Sequence, residues 1–385
     1  MKLKSLKTST HLLLLKLNSL LVILMKIMHV ISSAAAGGAE IYVKDLSKSM
    51  SEKGHSLFVV LLDRASESGR DAEFEASFLA ELEKSGVEYG FLGDACRRNP
   101  LKGILALSSF CRRFKPDIVH SHLYYGAVFS LFQFGFPHVY THHNIKLKAK
   151  PLFYRFLDFR TTAYIGICRA CEKLLKGVTS REVVHIDNGV DSGRIIVKKA
   201  YAPASPLNVV SVGTLSVQKN HQLLFQAIAR LAHLDFILTV AGEGSQAEKL
   251  KQLVNELGIN NKVNFIGNSN NVKQLLHDSD LFIMSSAWEG LPIVQIEASL
   301  TGLPVLVTDV GGCSEIVERV GNGLIANVEL EDYTAKLKQL IEDESLRLRF
   351  HTNALVNSQH YKVDNAVERH LELYNRLKRR LPSHA

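Results

Sequence analysis

Short apolar runs alternate with amphipathic stretches of helical period along nearly the whole chain. In the first half the runs at 27–32, 56–62, 117–120, 138–141 and 163–167 predict strands, and 183–186 can add a last one. In the second half the strand-like runs are 207–212, 235–241, 263–267, 281–285 and 304–308. Strands separated by helical patterns predict a parallel, doubly wound α/β layout. Residues 198–206, with Pro203 and Pro206, interrupt the alternation and read as a linker. The alternation then restarts, so the pattern divides the chain into two Rossmann-like units, 25–200 and 201–364. A final helix and tail, 365–385, carry Arg376, Lys378, Arg379 and Arg380, charges suited to a helix C-terminus. A length of 385 residues fits two domains better than one.

The extension 1–24 breaks this regularity. Lys2, Lys4, Lys7 and Lys16 interrupt leucine-rich segments that are too short to span a bilayer. No small-residue cleavage site is well placed for a signal peptide. Three readings stand: an upstream extension with Met25 as the true start, a basic amphipathic helix on a membrane surface, or a signal anchor.

Composition narrows the partners. A net charge of +8 with 22% charged residues describes a folded protein that favours anionic partners. An anionic membrane surface or a phosphorylated substrate fits at least as well as nucleic acid. Five cysteines give no disulfide framework and point to a reducing, cytoplasmic location. Cys168 and Cys171 have C-x-x-C spacing, but no second Cys pair or thioredoxin-like context accompanies them.

The chemistry is densest at Trp288-Glu289-Gly290-Leu291-Pro292 and the residues that follow. Glu289 is expected on a loop after the 281–285 strand, with Gly290 supplying backbone freedom. Pro292 suits the first helical position, where its missing N–H costs nothing. Glu297 is then about five residues into the helix, roughly 7.5 Å along its axis. Between the two acids, free amides and the positive helix end form an anion site. Acceptors on either side of a phosphate site suit a nucleotide sugar. The alternative is a helix with one buried, paired Glu.

Four further segments are candidates. Lys219, on the loop after the 207–212 strand, can meet phosphate as a point charge. Gly242-Glu243-Gly244 reads as a tight turn and not a dinucleotide site, because no acid stands at the end of the next strand. Gly37 and Gly38, between the first strand and a helix, allow a ligand close to the backbone. His120 and His122 alternate onto one face of their strand, and His142 and His143 reach the same sheet edge. These histidines lack a carboxylate at ligand spacing, and no D-x-D stands at a strand end, so no metal is expected. Residues 145–160 mix Lys and Arg with aromatics, a pattern open to a membrane surface, a solvated helix face or nucleic acid, in that order.

Glu289-Gly290-Leu291-Pro292 with Glu297-Ala298, then Gly302-Leu303-Pro304-Val305, then Gly311-Gly312-Cys313-Ser314-Glu315, resembles the retaining glycosyltransferases of family 4. The resemblance runs from about Lys26 to about Tyr374. It implies a GT-B fold, with two Rossmann-like domains facing a cleft and a C-terminal helix crossing back to the first. It also implies sugar transfer from a UDP-, GDP- or ADP-sugar, with no cofactor, to a glycan or lipid-linked acceptor in cell-envelope polysaccharide or lipopolysaccharide synthesis. Carried over position by position, Glu289, Lys219 and His122 are catalytic, and His122 contacts the donor sugar. Gly38, Thr214, Gly267, Gly290, Leu291, Pro292 and Glu297 join the donor site, with Glu297 on the ribose and the 267–271 loop at the base. Thr214 stands where the family has Arg, which leaves the diphosphate clamp one cation short. A nucleotide-sugar 2-epimerase and a catalytically impaired binding subunit remain open rivals. Acceptor choice is expected in the 65–74 and 145–156 loops, and contact with the inner face of the cytoplasmic membrane is compatible with this reading. Nucleic acid is not an expected partner.

Overall fold

A computed structural model describes residues 24–380 apart from Ala36, Arg70, Asp94 and Ala95. The extension 1–24 thus lies outside the described residues except for Leu24. Seven strands form the first sheet: β1 Lys26–Ile31, β2 Ser56–Leu61, β3 Glu88–Phe91, β4 Ile118–His122, β5 His138–His142, β6 Ala163–Gly166 and β7 Glu182–His185. Six form the second: β8 Leu207–Val212, β9 Phe236–Ala241, β10 Val263–Phe265, β11 Leu281–Met284, β12 Val305–Thr308 and β13 Gly323–Ala326. Their orders are β3-β2-β1-β4-β5-β6-β7 and β10-β9-β8-β11-β12-β13. The pairings are parallel, for example Ile27 against Leu57 on one side and Ile118 on the other. Parallel sheets bury both faces, which is why the central strands read as unbroken apolar runs.

In each sheet the strand order reverses at one place, between β1 and β4 and between β8 and β11. There the connecting helices leave toward opposite faces and the loops part, opening a crevice at the C-terminal strand ends. Gly37–Gly38 follow β1, Leu123 follows β4, Gly213 follows β8 and Glu289 follows β11. The fold therefore delivers the candidate residues from both lobes to one place.

The last helix, Val363–Arg379, returns to the first lobe. Tyr374 OH lies 2.5 Å from His120 Nδ1, Arg376 pairs with Glu182 at 2.6 Å and Lys378 with Asp117 at 2.7 Å. Leu373 and Leu377 are buried in a core that also holds Ile31 and Val43 of the first lobe and Ile293 and Ile296 of the second. Each such side chain contributes roughly 1.5–3 kcal/mol on burial. The lobes thus share apolar packing at the base of the crevice.

Candidate functional site

A cleft of about 960 Å³ separates the lobes. Two helix starts face it. The helix Gly38–Glu52 begins behind Gly37, and the helix Ile293–Thr301 begins behind Pro292. No side chain caps either start, and the second has no acid in its first turn. The second start thereby leaves its first amides and positive dipole end for an anion in the cleft, whereas at the first the Glu40 carboxylate already stands in the opening turn beside Gly37. The two starts approach closely: a Cβ on Gly38 would lie 3.4 Å from Ile293 Cγ1. Pro292 is the capping residue with extended backbone (ψ 118°), so the helix begins at Ile293, one position later than the sequence reading placed it.

Glu289 is buried on the second-lobe wall. Its Oε1 accepts from Ser286 Oγ at 2.8 Å and pairs with Lys219 Nζ at 2.7 Å. Gln218 Nε2 donates to Oε2 at 3.2 Å. The Lys219 stem lies across Gly213. Gly290 has no left-handed φ, so conformational freedom is not its role. A Cβ there would stand 2.5 Å from the His143 carbonyl oxygen of the first lobe, so the loop needs the space. Gly311 is constrained further: its φ is +56°, and a Cβ would fall 1.8 Å from the Glu289 carbonyl oxygen. Gly312 N donates to Gly290 O at 2.7 Å, tying the two loops together.

Glu297 also lines the cleft, but it is paired. Arg194, from the segment joining the sheets, salt-bridges Glu297 through Nη2 and Asp45 of the first lobe through Nη1 at 2.9 Å. One guanidinium thus serves two buried carboxylates. Burial, with Asp45 adding to it and Arg194 opposing it, pushes the Glu297 carboxyl up to about 7. The sequence reading did not anticipate Arg194.

The floor on the first-lobe side is a run of imidazoles. His29 Nδ1 and His122 Nε2 are 3.0 Å apart, as are His122 Nδ1 and His143 Nε2. Each contact needs one proton, so the tautomers of the three rings are coupled. Burial, reinforced by neighbouring histidines, drives His122 well below its ordinary value. The placement of His122 corrects the sequence expectation. It is fully buried, and His143 and Leu123 line the cleft instead. His120 is a packed partner, bonded to Tyr374 and, at 2.6 Å, to Thr141 Oγ1.

Thr214, Leu291 and Gly38 line the cleft together with Lys219, Gly290, Pro292, Glu289 and Glu297. Gly267 does not. It sits behind the lining at φ +66° and accepts from Gly242 N at 2.7 Å, while Asn268 to Asn271 face the space. Asp71, Glu73 and Phe74 line the first-lobe side; the 65–74 segment expected as an acceptor-choosing loop instead folds as the short helix Ala65–Ser68 and the start of the helix Ala72–Lys84. Among the described residues, one trio offers metal-ligand geometry: His29, His120 and His122, with nitrogens within 4.8 Å. His120 and His122 already engage both their nitrogens with neighbours, and the trio has no carboxylate or thiolate to offset a cation. Cys168 and Cys171 are buried free thiols 3.2 Å apart. No helix among the described residues is long and apolar enough to cross a membrane.

Residues 194–356 match the family described as Glycosyl transferases group 1, and residues 36–194 match Glycosyltransferase Family 4. Together the two matches run from the first Gly loop past the last strand. The chain belongs to the group 1 glycosyltransferases. Its two parallel-sheet lobes have the GT-B architecture of that family. The Anabaena protein HepE, solved in complex with UDP and glucose, superposes with a TM-score of 0.76. That match covers 91% of this chain and 99% of HepE at 20% identity, a likeness of fold. Among family members, the lipopolysaccharide core biosynthesis glycosyltransferase LpsE of Rhizobium meliloti is 31% identical over 173 residues, 44% of this chain and 50% of LpsE. A Campylobacter jejuni N-acetylgalactosaminyltransferase, named for its diphospho-undecaprenol-linked substrate, is 33% identical over 116 residues, 30% of this chain and 31% of that protein. The chain matches about half the length of the first curated relatives.

Proposed function

We propose that this protein transfers a sugar from a nucleotide-sugar donor to a hydroxyl of a glycan or lipid-linked acceptor, with retention at the anomeric carbon. The observation that carries the reading is the convergence of the uncapped helix start at Ile293, the Gly37–Gly38 loop and Lys219 on one cleft between the lobes. A diphosphate bound there meets amides from both sides and one ammonium. These groups can supply the positive charge that the leaving group needs without a metal ion. Glu297 is suited to the ribose hydroxyls, the 268–271 loop to the base, and Glu289 with the Gly290 and Leu291 amides to the sugar. Thr214, exposed at the cleft, can donate one hydrogen bond to phosphate.

Glu40, Asp71 and Glu73 line the first-lobe side of the cleft, and the route we infer uses none of them as a nucleophile for double displacement. In the reaction we infer, the bond from the anomeric carbon to the diphosphate oxygen breaks. A bond to the acceptor oxygen forms on the same face, and the acceptor proton passes to the departing phosphate. His143 and Leu123 bound the acceptor side, and lobe closure excludes water.

The relatives' roles in lipopolysaccharide core synthesis and on a lipid-linked substrate support a place in cell-envelope polysaccharide synthesis, at the inner face of the cytoplasmic membrane. The test is a thermal-shift screen of UDP-, GDP- and ADP-sugars, followed by a transfer assay with and without acceptor. Product that requires acceptor and keeps the donor's anomeric configuration is expected. Altered free sugar without acceptor would establish an epimerase, and tight donor binding with no transfer to any glycan a binding subunit.

A further inference from the structure

The first lobe turns an apolar stripe outward. On the helix Pro151–Leu157, Tyr154 and Leu157 are buried, while Leu152, Phe156 and, just beyond the helix, Phe159 are 76%, 57% and 74% exposed. Spacings of four and three residues put these side chains on one line. The helix thus buries one apolar stripe and turns a second one to solvent.

Neighbouring elements extend the stripe into a face. Arg160 hydrogen-bonds the Gln133 carbonyl and, at 2.8 Å, the Phe136 carbonyl, with its guanidinium over the Phe134 and Phe136 rings at 5.5 and 5.2 Å. This fixes the 132–136 loop beside the helix with Phe132 and Phe134 exposed. Gln133 accepts from Ser108 Oγ at 3.0 Å and donates to the Ile104 carbonyl at 3.1 Å, joining the helix Pro100–Phe114. There Leu101 and Leu105, one turn apart, are again exposed. Among the described residues, the exposed large aromatic side chains (Tyr125, Phe132, Phe134, Phe156 and Phe159) all fall within this part of the chain.

Charge marks the same region. Between Asp94 and Asp158 the chain carries ten Lys or Arg residues and one acid, Asp117, against a net charge of +8 for the whole protein. This stretch therefore accounts for the entire positive surplus. Asp117 is itself neutralised by Lys378 at 2.7 Å. Arg112, Lys148 and Arg155 from this stretch are exposed, as is Arg113, whose guanidinium lies over the Phe58 and Phe110 rings.

We propose that this face docks on an anionic lipid bilayer, with Leu152, Phe156, Phe159 and Phe134 at the acyl boundary and the basic residues on headgroups. A second copy of the chain is disfavoured, because a symmetric contact would press one unbalanced basic segment on another. Nucleic acid would use the cations and rings but not the exposed leucines. The face adjoins the acceptor end of the cleft. Tyr124, next to the cleft residue Leu123, stacks with Phe153 at 5.0 Å, and Lys146 lies 3.3 Å from the Trp288 ring centroid. Docking would present a membrane-held acceptor to that opening. In this the inference deepens the lipid-linked acceptor of the proposed function, yet it is measured with neither donor nor acceptor, so the two can fail separately.

The test is co-sedimentation of the full chain with phosphatidylcholine vesicles, with and without phosphatidylglycerol. Binding only to the anionic vesicles, weakened by salt, is expected. The double variant Leu152→Glu, Phe156→Glu should lose at least roughly tenfold in affinity with its melting temperature unchanged. Arg112→Glu with Arg113→Glu should weaken binding as well. Undiminished binding by the first double variant overturns the assignment and moves any affinity elsewhere, the 1–24 extension included. So does equal binding to neutral vesicles, a dimer that the variant disperses, or binding to RNA or DNA that the variant abolishes.

Discussion

Arg194 holds Glu297 in a salt bridge at the cleft wall while its other nitrogen reaches Asp45 across the lobes. Burial raises the Glu297 carboxyl to about 7, with Arg194 opposing the shift and the nearby Asp45 adding to it. Only the ionised form offers two acceptors to ribose hydroxyls. Donor binding should therefore strengthen from pH 6 to pH 8 by roughly tenfold, the change in ionised fraction of one group titrating near 7. Calorimetric titrations with the active donor should show this slope, and Glu297→Gln should flatten it.

Removing the shared cation should be worse than removing one acid. Arg194→Met leaves two buried carboxylates facing one another and should cost about 3 kcal/mol in denaturant unfolding. Adding Glu297→Gln to that variant should restore part of the loss, and strict additivity would count against the triad.

Lys219→Ala and Glu289→Ala should each lower transfer by roughly 10²–10³, the scale of losing one preorganised electrostatic contact. Their melting temperatures should stay near wild type. Since Lys219 and Glu289 touch at 2.7 Å, the double variant should lose less than the two singles combined. Wild-type turnover in either single variant would refute the site.

Gly311→Ala meets both a left-handed φ of +56° and the Glu289 carbonyl oxygen at 1.8 Å. The expected cost is about 2–4 kcal/mol, with the Glu289 loop displaced and transfer lost. Gly302→Ala serves as a comparison: its φ is also positive, at +101°, but the atoms a Cβ would meet are side-chain tips at 3.0 Å or more. It should be milder.

Acid should unfold the first lobe early. Burial, assisted by neighbouring histidines, holds His29 and His143 down to about 3, and burial holds His370 down to about 4. In the unfolded chain each titrates near 6.5, so the unfolded state binds more protons below that pH and stability falls as pH drops. The expected slope is about 1.4 kcal/mol per pH unit for each such histidine. Glu297 acts the other way, losing stability as pH rises from about 4.5 to 7, but it is one group against several. Chemical denaturation between pH 7.5 and 5 should show the net fall.

What the chain discloses by itself follows from how local each signal is. The buried central strands stand out because parallel sheets need uninterrupted apolar runs. Strands β3 and β13 were not expected: both are four-residue edge strands, half-exposed, and one contains Gly90. The Glu289–Glu297 spacing set both acids on the cleft, since strand, loop and helix follow one another without interruption. The alternation in β4 placed His120 and His122 on one face, and their ring centroids are 4.0 Å apart. What covers that face is Tyr374, from the last helix, and no local pattern announces a neighbour so distant in sequence. Arg194 escaped for the same reason: a basic residue in a connecting segment looks solvated until the fold sets two acids beside it.

The return of the helix Val363–Arg379 to the first lobe bears on how the chain is made. Until that segment leaves the ribosome, His120 lacks its Tyr374 partner and the apolar bed under Leu373 and Leu377 stays open. The first lobe can close its other cores, around Phe58 and Tyr140, from its own residues, but the face under the last helix is covered only when translation ends.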